Sequence, residues 1–142
     1  PAGFLPVCDS DGISTPHQVT QCAPLDDCGC DNSLDFGYAG TGRVGDRVWN
    51  DANGNCKQDS WESGYLAVKV ILTLDWDGDG CADYTAATLT DLCGNYAFCN
   101  LPAGRVTVTV CTGVTPLLSV CQTYDRDGLS TRNCASLTLA PG

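Results

Sequence analysis

The sequence predicts an all-β protein, an antiparallel β-sandwich, on three observations. Apolar residues alternate with a period of two, turn-forming clusters recur at short intervals between the alternating runs, and no stretch carries the 3.6-residue period of a helix. The first strand is predicted at 43–49, "RVGDRVW". In "LAVKVILTL" Val68, Val70, Leu72 and Leu74 share one face, which predicts a strand near 66–74. Further strands are predicted near 84–90, at 95–99, where Tyr96 and Phe98 alternate with Ala97 and Cys99, and at 105–111, where Val106, Val108 and Val110 oppose Thr107 and Thr109. Two more are placed at 118–124 and 133–139. Asp77-Gly78-Asp79-Gly80, Cys93-Gly94-Asn95, Leu101-Pro102-Ala103-Gly104 and Asp127-Gly128 punctuate them as turns. Several short strands at such spacing build a sandwich or barrel.

The chain has 142 residues, 11 cysteines and a net charge of −10. A chain of this size buries roughly 68–70% of its unfolded surface, so it has a core without staples. Cysteine on this scale then points to an oxidising, extracellular setting. With one histidine, His17, in a loop-like stretch, and Cys28 and Cys30 the one close cysteine pair, zinc ligation fits poorly. Of the 17 acids all but Glu62 are Asp, a short side chain that favours turns and ligates hard cations. Five Arg and two Lys offer little to nucleic acid. No apolar run is long enough for a membrane span. The chain opens on Pro1 and lacks methionine, so a processed form or a window of a longer protein is expected.

"DANGNCKQDSWE", 51–62, places Asp51, Asn53, Asn55, Asp59 and Glu62 at positions 1, 3, 5, 9 and 12 of a twelve-residue window. The Lys57 carbonyl falls at the seventh position. Calcium takes six to eight oxygens, and alternate oxygen-bearing residues closed by a later carboxylate supply them. The sixth position, glycine in such loops, is Cys56. A second candidate is "DWDGDGCAD", 75–83, where Asp75, Asp77, Asp79 and Asp83 crowd a glycine-rich bend; a plain hairpin turn is the competing reading. Asp125 and Asp127, with Asp9, Asp11 and Asp46, form a weaker third set.

Tracing the strands up and down, with a hairpin centred on Pro102 and Ala103, sets Phe98 opposite Val106 and Cys93 opposite Cys111. Disulfides Cys93–Cys111, Cys81–Cys99 and Cys121–Cys134 are therefore predicted. Cys8, Cys22, Cys28, Cys30 and Cys56 remain, and Cys28 and Cys30 are the candidates for an intermolecular link. At roughly 2–4 kcal/mol each, cystines would outweigh a calcium site held at about a hundred times its Kd, worth about 2.7 kcal/mol.

"DSDGIST", 9–15, returns as "DRDGLST", 125–131. On this echo, 1–40 is an N-terminal β extension, the end of a preceding repeat or strands donated to a neighbour, and 41–142 is one repeat. The stretches "GDRVWNDANGNCKQDSWESGYLAVKVILTL" and "LTDLCGNYAFCNLPAGRVTVTV", with "TYDRDG" and "SLTLAPG", resemble the Sdr-type B-like repeat, a Cna-B-related, prealbumin-like sandwich of bacterial surface proteins. "LDFGYAGTGRVGDRVW", 34–49, resembles the junction between two repeats. The resemblance implies an Ig/prealbumin-like sandwich, Ca2+ as the bound ion, an extracellular place at the cell surface or in a secreted filament, and no catalysis. The cysteines depart from that pattern.

The function expected is a spacer or fibre subunit stiffened by calcium and disulfides. Its partners are adjacent copies of itself, through tandem repeats, strand donation or an intermolecular disulfide, with Ser and Thr open to O-glycans. The alternative is an adhesin module that binds a host or carbohydrate ligand through exposed aromatics such as Trp61 and Trp76.

Overall fold

The computed structural model describes residues 4–9, 36–113, 117 and 120–141; for 4–9 and Phe36 it describes the backbone alone. His17, Asp11, Cys22, Cys28 and Cys30 lie outside the described residues. Every regular element among those described is a strand: β1 (Phe4–Asp9), β2 (Phe36–Gly40), β3 (Gly42–Arg47), β4 (Lys69–Asp75), β5 (Tyr84–Leu89), β6 (Asn95–Leu101), β7 (Gly104–Val110) and β8 (Cys134–Leu139). All pairings are antiparallel.

A four-stranded sheet in the order β5-β4-β7-β8 packs against the pair β3-β6. The period of two explains which faces meet. On β4 the side chains of Val70, Leu72 and Leu74 point inward and are fully buried, with Val106 and Val108 beside them on β7. Val44 and Phe98, paired across β3 and β6, close the core from the other side together with Leu101. β4 has a partner on each edge: Leu72 lies opposite Ala86 of β5 and Val108 of β7. Its burial on both edges and one face makes it the centre of the fold.

Two sequence expectations fail here. The 95–99 and 105–111 runs form strands, and Phe98 and Val106 both point inward, but they do not make a hairpin. β6 pairs with β3, and β7 pairs with β4 and β8. Pro102 has no N–H to continue a ladder, Asn100 has φ +59°, and Gly104 has φ +151°, so the chain crosses from one sheet to the other there. Phe98 and Val106 meet across the core rather than across a ladder. The second failure is the strand at 118–124: residues 120–125 are coil.

β1 and β2 form a sheet of their own, and a single residue, Thr41, separates β2 from β3. A stretch from 36 to 47 thus pairs first with β1 and then with β6. Gly40 sits where this stretch turns against the end of β6. A Cβ there would stand 2.1 Å from the Leu101 carbonyl carbon, so only glycine fits without displacing backbone.

Truncation of the core at its centre is expected to cost about 2–5 kcal/mol. Urea unfolding of Leu72→Ala against the parent chain measures this, and the slope of the transition should stay unchanged.

Candidate metal centres

The 51–62 loop is closed at its base by a short ladder. Trp49 and Gly64 form a bridge, the Asn50 N–H donates to Ser63 O at 2.8 Å, and the Tyr65 N–H donates to Val48 O at 2.9 Å. Arg47, at the end of β3, donates from Nη2 to Glu62 O and from Nε to Cys93 O, each at 2.7 Å. It ties the loop to the 91–95 turn.

Within the loop the chain winds around its acceptors. Asp51 Oδ1 accepts from the Asn55 N–H at 3.1 Å and Oδ2 from the Cys56 N–H at 3.1 Å. Asn53 Oδ1 accepts from the Asn55 N–H, and Asn55 Oδ1 from the Lys57 N–H. Both asparagine side chains donate Nδ2–H to Asp59 Oδ2, at 2.8 and 2.9 Å. Glu62 is 3% exposed; its Oε1 accepts from the Ala52 N–H and its Oε2 from the Asp59 N–H. Among the described residues its carboxylate has no cationic partner. Cys56 has φ +61°, the left-handed conformation that the missing glycine implied.

The second loop repeats this turn geometry. Asp75 accepts from the Gly78 and Gly80 N–H groups, Asp77 from that of Asp79, Asp79 from that of Cys81, and Asp83 from that of Trp76. Positive φ falls at Gly54 and Cys56 in one loop and at Gly78 and Gly80 in the other, the fourth and sixth positions of each. Carboxylate oxygens of Asp75, Asp77 and Asp83 lie within 4.8 Å of one another, while Asp79 stays outside that group. No such carboxylate trio forms at 51–62, where asparagines stand between the acids. Of the third set, Asp11 lies outside the described residues, the Asp9 side chain is not described, and Asp125 and Asp127 contact one another. Asp46 accepts from the Arg47 N–H, Asp125 from Gln122 Nε2, and Asp127 from the Ser136 N–H. Burial first, then the charges of Asp46 and Asp125, raise the Tyr96 pKa, which sets those two acids near one ring.

Residues 42–137 match the family model of the SdrD B-like domain. The chain belongs to this family. It is 34% identical over 119 residues, 76% of its length, to serine-aspartate repeat-containing protein C of Staphylococcus aureus strain Newman, and equally to that of strain USA300. It spans 11% of the length of these relatives. No solved structure matches it. As an SdrD B-like domain it is a surface repeat module, and its place is outside the cell. No helix among the described residues is long and apolar enough to cross a membrane.

The strand order also bears on the cysteine pairing. No disulfide joins Cys56, Cys81, Cys93, Cys99, Cys111, Cys121 and Cys134 in this structure, and the pairs Cys93–Cys111, Cys81–Cys99 and Cys121–Cys134 do not appear in it. The hairpin that set Cys93 opposite Cys111 does not exist, because β6 and β7 lie in different sheets. Sequence reasoning also passed over Arg47 and Asp91. Asp91 Oδ1 accepts from the Cys93 and Asn95 N–H groups, at 2.8 and 2.9 Å. The spacing Asp-x-Cys-Gly-Asn, an Asx turn, was the available signal.

Two outcomes are expected. Cys56→Gly relieves a left-handed non-glycine residue and raises stability by about 1 kcal/mol, whereas β-branched Cys56→Val lowers it; chemical denaturation reads both. The Asp91 pKa is lowered from 3.8, chiefly by the Asn95 N–H. A depressed carboxylate stabilises the fold above its unfolded value and loses that contribution as pH falls through the folded value. Asp91→Asn should therefore flatten the loss of stability below pH 3.8, followed by thermal melts across that range.

Proposed function

We propose that this SdrD B-like domain is a non-enzymatic, calcium-stiffened spacer, one unit of a surface protein or filament built from adjacent copies. The observation that supports it is the buried Glu62. A carboxylate taken out of water needs a compensating charge, and the side chains placed around it are oxygen-bearing. Calcium suits such a set: hard, tolerant of carboxylate, carboxamide and carbonyl oxygens together. Asp51, Asn53, Asn55, Asp59 and Glu62, with the Lys57 carbonyl, would hold it. When bound, the ion supplies charge neutralisation and cross-linking of the loop. The two asparagine amides now bonded to Asp59 would turn their oxygens inward. Asp75, Asp77 and Asp83, with Asp79 at their edge, are the second site.

The role is mechanical. The loop base joins the end of β3 to the 91–95 turn through Arg47, so fixing the loop fixes one end of the sandwich. The stiffening is assigned first to the cation, because the loop side chains gather oxygens while no disulfide joins the described cysteines in this structure. Trp61 and Trp76, 65% and 50% exposed in the two loops, favour a second reading, an adhesin module with a stacking surface for a host or carbohydrate ligand. Glycan-array capture lost in Trp61→Ala and Trp76→Ala variants would support that reading over the first.

The spacer reading is tested by thermal unfolding in calcium and in chelator. At saturating calcium the chain should gain about 2.7 kcal/mol, or on the order of 10 °C in Tm. Glu62→Gln should lose most of that gain. Identical melts in calcium and chelator would overturn the reading.

A further inference from the structure

The four-stranded sheet ends in two edge strands; β8 is capped and β5 is open. Alternation along a ladder fixes which backbone groups face outward. On β8 these belong to Cys134, Ser136 and Thr138, because the Asn133 carbonyl accepts inward from the Val110 N–H. The 127–131 loop engages this edge. The Cys134 N–H donates to Thr131 O, the Cys134 carbonyl accepts from Thr131 Oγ1, and the Ser136 N–H donates to Asp127 Oδ2 at 3.0 Å. On β5 the Thr90 N–H donates inward to Val68 O, which turns the N–H and C=O groups of Thr85, Ala87 and Leu89 outward. Among the described residues none of these outward groups has a partner.

β5 also lacks the devices that keep an edge strand from pairing. Its register with β4 runs from Leu89 to Tyr84 without a bulge, and 84–90, "YTAATLT", holds no charge and no proline. Thr85, Ala87 and Leu89 are exposed. Large apolar side chains gather at both ends of the strand. Tyr84 and Trp76 stand at one, where the Trp76 N–H donates to Asp83 Oδ2; Leu89, Leu92 and Leu66 stand at the other, where the Ala67 N–H donates to Thr90 O. Leu89 is 60% and Leu92 81% exposed. An open ladder edge rimmed by apolar side chains marks a pairing surface.

We infer that β5 pairs antiparallel with β5 of a second copy of this chain, joining two sheets into one continuous sheet. The inference rests on the spacer reading for the presence of adjacent copies, and it names the surface on which they meet. Charge selects the partner. Two copies of net charge −10 repel, and an interface with a two-fold axis brings the same patch of each copy together. A stretch without charge is where such copies meet at least cost. Pairing centred on Ala86 sets Thr85 opposite Ala87 and Asp83 opposite Leu89, so no acid faces an acid. A strand of six residues buries less than the roughly 1,600 Å² of a standard interface, so one pair is weak alone and is reinforced where copies repeat.

The test is sedimentation and amide hydrogen exchange of the full chain from about 10 μM to about 1 mM, the range in which weak pairs form. As concentration rises, the sedimenting mass should double and exchange at Thr85, Ala87 and Leu89 should slow at least tenfold. Ala87→Pro removes one outward N–H and leaves the β4 ladder intact; Ala87→Lys sets a charge on the edge without touching the backbone. Both variants should stay monomeric, with exchange at Thr85 and Leu89 independent of concentration. A parent chain that stays monomeric would overturn the inference, as would association that survives Ala87→Lys. Protection of these amides that is the same at every concentration would overturn it too, since a segment of the same chain would then cover the edge. Melts of dilute samples in calcium and chelator do not involve this edge, so the inference and the spacer reading fail separately.

Discussion

A carboxylate in the interior constrains this end of the molecule more than any other group. Glu62 is nearly sealed from solvent, and its two oxygens hold the Ala52 and Asp59 N–H groups. The winding of the loop follows from those two bonds, because they draw its start and its end onto one side chain. Asp51 does the same for the middle, taking the amides of Asn55 and Cys56. With Asp59, which takes both asparagine amides, three acids organise twelve residues, and Arg47 anchors the result by bonding the Glu62 and Cys93 carbonyls. No cationic side chain meets the Glu62 carboxylate among the described residues, and the calcium proposed for this loop would supply the balancing charge.

The second constraint is continuity of the backbone. One stretch, 36–47, serves two ladders in succession, with Gly40 pressed on the end of β6. The same 47–51 region that ends the shared stretch begins the metal-loop candidate, so the ladder with β6 and the loop are joined by a few residues of backbone.

Much of the fold was legible because burial follows alternation. Val70, Leu72 and Leu74, and likewise Val106 and Val108, face the core as the period of two requires. Which strand lies beside which was not legible. Phe98 and Val106 point inward whether they face each other across a ladder or across the core, so inward pointing did not distinguish a hairpin from a crossover. The inferred disulfides inherited that ambiguity. Strand pattern also misjudged 118–124, of which the described residues 120–124 are coil. In the loops, side-chain spacing located the acceptors, and the left-handed residue at Cys56 agreed with its position. Spacing did not show that Asp79 would turn away to the Cys81 amide while Asp75, Asp77 and Asp83 gathered.

Terbium luminescence tests the central claim most directly, because Trp61 lies inside the 51–62 loop and sensitises an ion held there. Excitation of the indole should give terbium emission that calcium displaces, that falls sharply in Trp61→Phe and in Glu62→Gln, and that persists in part in Trp76→Phe through the first loop. Emission that is absent, or that calcium leaves unchanged, would contradict a cation-stiffened loop.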